Sequence, residues 1–337
     1  MNLNIKIAVA SLLDKTGIVA AVRNYRSARS GIVLGLHRVL PETDLQDSFE
    51  PEIAISDAVF EQLLILLRKE FRIVGLQQLL DQPGDIDGRL RVALTFDDGW
   101  HDTYTNAFPL LLRYQVPATV FLCPGLLQEG EVLPEERFVR IWRSCVSRGQ
   151  LPLLLADLEK WGLHGSSSQD GHTWSKLLKR FPLDAKLLLL NHLEKAYRVA
   201  LPSHRRFLNW EEARIMQRSG ICFGSHTVRH STLATEQQPT LQQELVQSRQ
   251  AIERRLGQPA RFLAYPNGSY DERVTAAARQ AGYSHAFTIE PGAVTRKTDR
   301  FAMPRICVAD SVLTNQAAEL HLSRARFHLQ RFGKLAS

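Results

Sequence analysis

Short apolar runs that end abruptly in polar or turn-forming residues recur along this chain and leave few folds open to it. They cover 31–36 before His37, 91–96 before Asp97-Asp98-Gly99, 118–122 before Cys123-Pro124-Gly125, 221–224 before Ser225-His226, and 262–265 before Pro266-Asn267-Gly268. Runs of this kind suit strands buried on both faces, as in a parallel sheet covered by helices. Helical patterns at 57–70 and 105–114 fall between strands expected at 32–36, 91–96 and 118–122, the alternation of an α/β fold. When such a sheet curls into a barrel, the C-terminal strand ends carry the chemistry. A chain of 337 residues, 44% hydrophobic and without visible repeats, can bury one barrel-sized core with additions, which excludes disorder of the whole.

The residues at those strand ends are of particular types. Asp97 and Asp98 are adjacent carboxylates, which repel unless a cation lies between them; one can hold the ion while the other stays free as a base. His226 and His230, four apart, would face the same side of a single helical turn. Two imidazoles and one carboxylate make a three-ligand site with an open position, where bound water ionises near neutral pH. Read singly, each feature has an ordinary alternative: a turn whose side chains bond local amides, solvent-facing histidines, and a strand-to-helix turn at Pro266–Asp271.

Taken in chain order, Thr95-Phe96-Asp97-Asp98-Gly99, Ser225-His226-Thr227-Val228-Arg229-His230 and Leu263-Ala264-Tyr265-Pro266-Asn267-Gly268 resemble the motifs of the polysaccharide deacetylases of the NodB-homology type, carbohydrate esterase family four. The resemblance spans about residues 31 to 308. It implies a distorted (β/α)7 barrel that removes acetyl groups, usually N-acetyl, from amino sugars. It matches Asp97 to the catalytic base and Asp98, His226 and His230 to the metal ligands. The backbone N–H of Asn267 matches an oxyanion donor, with Tyr265 beside it as a substrate-side residue of the same turn.

Two departures from that pattern need other residues. Many members carry a general-acid histidine in a late Leu-x-His motif, whereas Arg300-Phe-Ala-Met-Pro-Arg305-Ile-Cys-Val308 contains none. His37, at the end of the first strand, resembles the first-strand histidine of the poly-N-acetylglucosamine deacetylase branch and is the candidate acid; a hydrogen-bonded strand-end histidine is the alternative. The commoner Arg-Pro-Pro-Tyr turn becomes Ala264-Tyr265-Pro266-Asn267, so the arginine that orients the catalytic aspartate is absent there. Arg305 could supply a planar fork to the same carboxylate, or form a rim salt bridge.

Residues 31–309 are therefore expected to form the barrel, with a helical insertion over about 126–208 that includes an exposed loop at 165–171. Trp142 is either an insertion core residue or a sugar platform. Asn209-Trp210-Glu211-Glu212 resembles a capping box where the barrel resumes. Residues 1–30 and 310–337 read as basic amphipathic helices, lying either on an anionic membrane surface or against the barrel. No signal-peptide cleavage pattern or membrane-spanning run is recognised, so the expected location is cytoplasmic, at the inner face of a membrane. The four cysteines, Cys123, Cys145, Cys222 and Cys307, show no paired spacing, and Cys222 and Cys307 are expected as small core residues.

A net charge of +7 and a pI near 9.4 suit an acidic glycan, a membrane face or nucleic acid, but the basic residues are scattered and no nucleic-acid motif is present. The expected partners are an N-acetylated glycan or glycolipid and, peripherally, a membrane. The expected cofactor is a divalent metal, zinc first, with cobalt, nickel or iron also suited to such ligands. Three functions compete: an amino-sugar N-deacetylase, an esterase or other amidase on the same metal site, and a noncatalytic glycan-binding relative.

Overall fold

The computed structural model describes residues 30–45, 48–84, 88–128, 130–164, 171–202, 205–314 and 320–330. Its main sheet has eight strands: β1 (Gly31–Leu36), β4 (Arg72–Ile73), β5 (Arg91–Phe96), β6 (Ala118–Leu122), β7 (Cys222–Ser225), β8 (Phe262–Ala264), β9 (His285–Phe287) and β10 (Ile306–Cys307). A separate pair joins β2 (Arg38–Leu40) to β3 (Ala54–Ser56). The main order is β10-β1-β5-β6-β7-β8-β9, with β4 beside the start of β5, and every pairing is parallel. The sheet curls into an incomplete barrel. At the seam, Thr288 N–H donates to Met303 O at 2.8 Å and Arg305 N–H to Glu290 O at 3.0 Å.

Alternation along the strands decides what faces the interior. On β1 the even positions Ile32, Leu34 and Leu36 pack outward against Val59, Phe60 and Leu63 of helix α1 (Asp57–Glu70). The odd position Val33 joins Ala93, Phe121, Phe262, Ala264 and Phe287 inside the barrel. β1 and β5 pair in register, Val33 with Ala93 and Gly35 with Thr95. Continued by one step of two residues, that register sets His37 beside Asp97. On β7 the inward position is Gly224, where a Cβ would lie 2.7 Å from the Phe121 ring and 2.9 Å from Phe262 O, so only glycine lets the interior fill there.

The strands at 91–96 and 118–122 and helix α1 have the expected limits. The helix expected at 105–114 begins as a wider π turn (Thr103–Ala107) and continues as α2 (Phe108–Tyr114). Between β6 and β7 lie α3 (Pro134–Ser147), α4 (Leu151–Lys160), α5 (Gly171–Leu178) and α6 (Leu183–Tyr197). They enclose a core of their own, in which Trp142, 4% exposed, lies between Phe138 and Trp174. Trp142 is thus a core residue and offers no face to a sugar. Helix α7 (Trp210–Arg218) starts with the capping box of Asn209 and Glu212. Helices α8 (Gln238–Leu256) and α9 (Glu272–Gln280) complete the cover of β7 to β9.

Several expectations are corrected. Cys222 and Cys307 are exposed, because they stand at strand termini and not in mid-strand. Of the basic C-terminal stretch, helix α10 (Leu322–Gln330) packs Ala325 and Leu329 into the core and pairs Arg326 with Glu70, the barrel-packed alternative at those positions, while Leu322 is half exposed. The basic stretch expected at 1–30 and the loop at 165–170 lie outside the described residues, apart from Ser30. Among the described residues, no helix is long and apolar enough to cross a membrane.

Candidate active site

The strand ends converge. Asp98 follows β5, His226 follows β7, and His230 closes the turn after it; one ligand atom from each lies within 4.8 Å of the others. His226 Nε2 is 3.3 Å and His230 Nε2 is 3.4 Å from Asp98 Oδ1. A tetrahedral ion with bonds of about 2.0–2.1 Å has ligand-to-ligand edges of about 3.3–3.4 Å, which both distances to Asp98 match. Asp98 Oδ1 is buried without a hydrogen-bond partner, an atom left for a cation. Its other oxygen accepts the Trp100 indole N–H at 2.9 Å, which fixes the carboxylate's orientation. His226 Nδ1 lies 2.8 Å from Ala264 O; a proton on Nδ1 donated to that carbonyl leaves Nε2 as the free donor atom.

The expected helical turn at His226–His230 is not formed. Thr227 and His230 take left-handed conformations, φ 66° and 59°, which bend the backbone so tightly that both imidazoles reach one point. The turn is held from α8, where Glu244 Oε2 accepts the N–H groups of Val228 and Arg229 at 2.8 and 3.0 Å. Thr227 Oγ1 accepts Ser231 N–H at 3.1 Å.

Asp97 stands outside this triad. Arg305 donates to both of its oxygens at 2.7 Å and uses Nε on Thr288 O at 2.9 Å. The guanidinium is 1% exposed, so this is a buried fork and not a rim salt bridge. His37 Nε2 lies 3.7 Å from Asp97 Oδ2, where the strand register places it. Asn267 holds φ 57° in a tight turn after β8, with Nδ2 3.4 Å from Thr232 Oγ1. Tyr265, expected on the substrate side, is completely buried in the outer core instead; its hydroxyl donates to Phe301 O at 3.0 Å and its ring stacks on Tyr270. Parity explains this, since Leu263 and Tyr265 point outward from β8 while Phe262 and Ala264 point inward.

Electrostatics separate the roles. Burial would raise the carboxyl of Asp97, but Arg305, followed by His226, brings it below the ordinary range. Burial works in the same direction on Asp98 and is outweighed by His230 and His226, which hold it well below that range. Burial takes His230 down to about 4 against the pull of Asp98, so it is neutral and ready to ligate. His226 is raised, because Asp97 and Asp98 outweigh its burial. His37 is lowered, burial exceeding the attraction of Asp97 and Asp98. Trp100 and Glu244 were not among the residues expected at the site. Trp100 directly follows the acidic pair, whereas Glu244 reaches the histidine turn from a separate helix.

Residues 86–286 match the polysaccharide deacetylase family model. The Bacillus subtilis protein YxkH, itself assigned as a polysaccharide deacetylase, is 23% identical over 65% of this chain, a match that spans about half, 51%, of YxkH. The poly-β-1,6-N-acetyl-D-glucosamine N-deacetylase of Staphylococcus aureus is 22% identical over 83% of this chain and 79% of its own. A solved structure of a de-N-acetylase from Aggregatibacter actinomycetemcomitans superposes with a TM-score of 0.58 at 18% identity, over 89% of this chain and 100% of that one. With the family's acidic pair and both histidines gathered at the strand ends of a curled parallel sheet, the chain belongs to the polysaccharide deacetylases.

Proposed function

We propose that this protein hydrolyses the N-acetyl amide of an amino sugar in a surface polysaccharide or glycolipid, with a divalent cation, zinc foremost, held by Asp98, His226 and His230. One observation carries the reading: beside a three-ligand cluster lies a second carboxylate, Asp97, kept ionised by a buried arginine and left out of the cluster. A cation bound there would polarise the amide carbonyl and lower the pKa of an adjacent water. Asp97 takes the proton from that water, and the N–H of Asn267 steadies the oxyanion. Arg305 replaces the arginine missing from the turn and orients Asp97, which argues against a relative that has lost its chemistry.

The sugar amine needs a proton to leave, and His37 is the group we assign to give it. With its pKa lowered by burial, His37 rests neutral at neutral pH. The proton it delivers must therefore be gained during turnover, and Asp97, 3.7 Å away, is the group that collects one. The name of the S. aureus relative supports an N-acetylglucosamine polymer as substrate. The net charge of +7 supports work at an anionic surface, and we assign the protein to the inner face of a membrane. Acetate release from β-1,6- and β-1,4-linked N-acetylglucosamine oligosaccharides, abolished by chelator and restored by zinc, is the expected result. Hydrolysis of acyl esters alone, or saccharide binding without acetate release, would overturn the proposal.

A further inference from the structure

The helical insertion does more than cover the barrel: it brings buried charge to the wall of the site. Glu135, near the start of α3, is 2% exposed, yet neither of its carboxylate oxygens has a hydrogen-bond partner among the described residues. The attractive fields on it come chiefly from Lys186, then from His230 and Lys179, and its own backbone N–H faces it. Lys186 of α6 is 1% exposed and reaches Thr232 Oγ1 at 3.3 Å, the same oxygen that Asn267 Nδ2 approaches at 3.4 Å. Lys179, just after α5, pairs with Glu50 at 3.4 Å. Lys186 thus touches the side of the site formed by Thr232 and Asn267, and the segment that carries Glu135 packs Leu133 and Val139 into one cluster with Trp100 and Cys123, beside the ligand-bearing turns. The fields of Glu135 and Lys179 both reach the His230 imidazole, and that of Glu50's partner Lys179 reaches Asp98.

A buried carboxylate without partners is costly, and its persistence calls for a group that comes from outside. A second cation is a poor occupant, because Glu135 is absent from the cluster whose ligand atoms gather within 4.8 Å and its neighbours already balance the local charge. A neutral group rich in O–H donors fits. We propose that Glu135 is a specificity-determining residue whose carboxylate accepts hydrogen bonds from hydroxyl groups of the sugar that presents its acetamido group to Asp98, His226 and His230. This rests on the amino-sugar reading above. Lys186 holds Thr232, and through it Asn267, as a positioning residue.

The test uses zinc-loaded full-length protein carrying Asp97→Asn, so that saccharide binds without turnover, and compares it with Asp97→Asn/Glu135→Gln. Titration calorimetry with β-1,6- and β-1,4-linked N-acetylglucosamine pentasaccharides should show Kd weakened roughly ten- to hundredfold by Glu135→Gln, the effect of losing hydrogen bonds to a charged group. Zinc stoichiometry should not change. Glu135→Gln in the otherwise unaltered protein should weaken saccharide binding more than it lowers the melting temperature; a residue with a merely structural role would lower the melting temperature and leave Kd unchanged. Unchanged Kd, or no saccharide binding by the Asp97→Asn protein, would overturn the inference. If Kd weakens as expected while the unaltered protein releases no acetate, the deacetylase reading fails and the role of Glu135 in binding stands.

Discussion

Arg305→Met removes the charge facing Asp97 while keeping much of the side-chain volume. The fork it replaces is buried, with Asp97 1% and Arg305 1% exposed and both contacts at 2.7 Å. Breaking one half of a buried, hydrogen-bonded ion pair costs about 3–5 kcal/mol, because the remaining charge has no compensation. Expressed as proton affinity, the same loss raises the Asp97 pKa, because the charge that favoured its ionised form is gone. The sign follows from linkage: in the parent, the folded pKa of Asp97 lies below its unfolded value. That stability is present above the unfolded pKa and is lost as pH falls through the folded one. In Arg305→Met the folded pKa is raised, so the deficit is greatest at neutral pH and closes in acid, where the carboxyl is neutral. Two assays read this: urea denaturation from pH 4 to 8, and the pH profile of kcat/KM for acetate release. The acid limb of the profile should move upward, with activity falling about tenfold per pH unit below the new pKa. Arg305→Lys, which keeps the charge and loses the fork, should fall between. An acid limb and a denaturation midpoint both unchanged in Arg305→Met would refute the clamp.

Other perturbations separate the remaining parts of the site. Trp100→Phe removes the N–H that holds Asp98 Oδ2 and should weaken zinc binding about 10–100-fold, with activity recovered by added metal; unaltered affinity would remove Trp100 from the metal's support. His37→Gln should lower kcat by about 10²–10⁴ while zinc content stays the same, because His37 faces Asp97 and not the triad; near-normal turnover would exclude it as the acid. Gly224→Ala forces a methyl to within 2.7 Å of Phe121 and should destabilise the barrel by about 1–3 kcal/mol in urea titration, and a neutral result would mean that the interior yields more easily than its packing implies.

Much of this was legible because strands advertise themselves. The β1 and β5 segments are apolar at every position but one or two, and their in-register pairing turns a one-dimensional fact, an odd-numbered His37 and an odd-numbered Asp97, into a spatial one. The same parity rule, applied to β8, would have turned Tyr265 away from the cleft, where motif order alone set it on the substrate side. Arg305 was recognisable as a spare cation near a late strand, but its depth was not, since burial of a guanidinium depends on partners from Asp97 and Thr288 that lie far along the chain. The charged wall supplied by the insertion was hidden for a similar reason. Glu135 and Lys186 sit on helices whose patterns read as ordinary amphipathic cover, and only the packing of α3 and α6 over the barrel brings them near the site.

The histidine pair shows where spacing misleads. Four residues apart suggests a helical turn, and the imidazoles do share one side, yet the backbone achieves this by a route that helix propensity opposes. Six described residues other than glycine have left-handed φ; Gln115 and Arg198 are helix C-caps, and the other four are Asp98, Thr227, His230 and Asn267. Such conformations cost about 1–3 kcal/mol each, and for a β-branched residue like Thr227 the position is a true outlier. They persist because side chains from elsewhere over-determine them: Trp100 holds Asp98, Glu244 holds the turn between the histidines, and Thr232 meets Asn267. The site is therefore assembled from locally unfavourable turns that long-range contacts keep in place. That division explains why the residue types were readable from the chain while the shape that unites them was not.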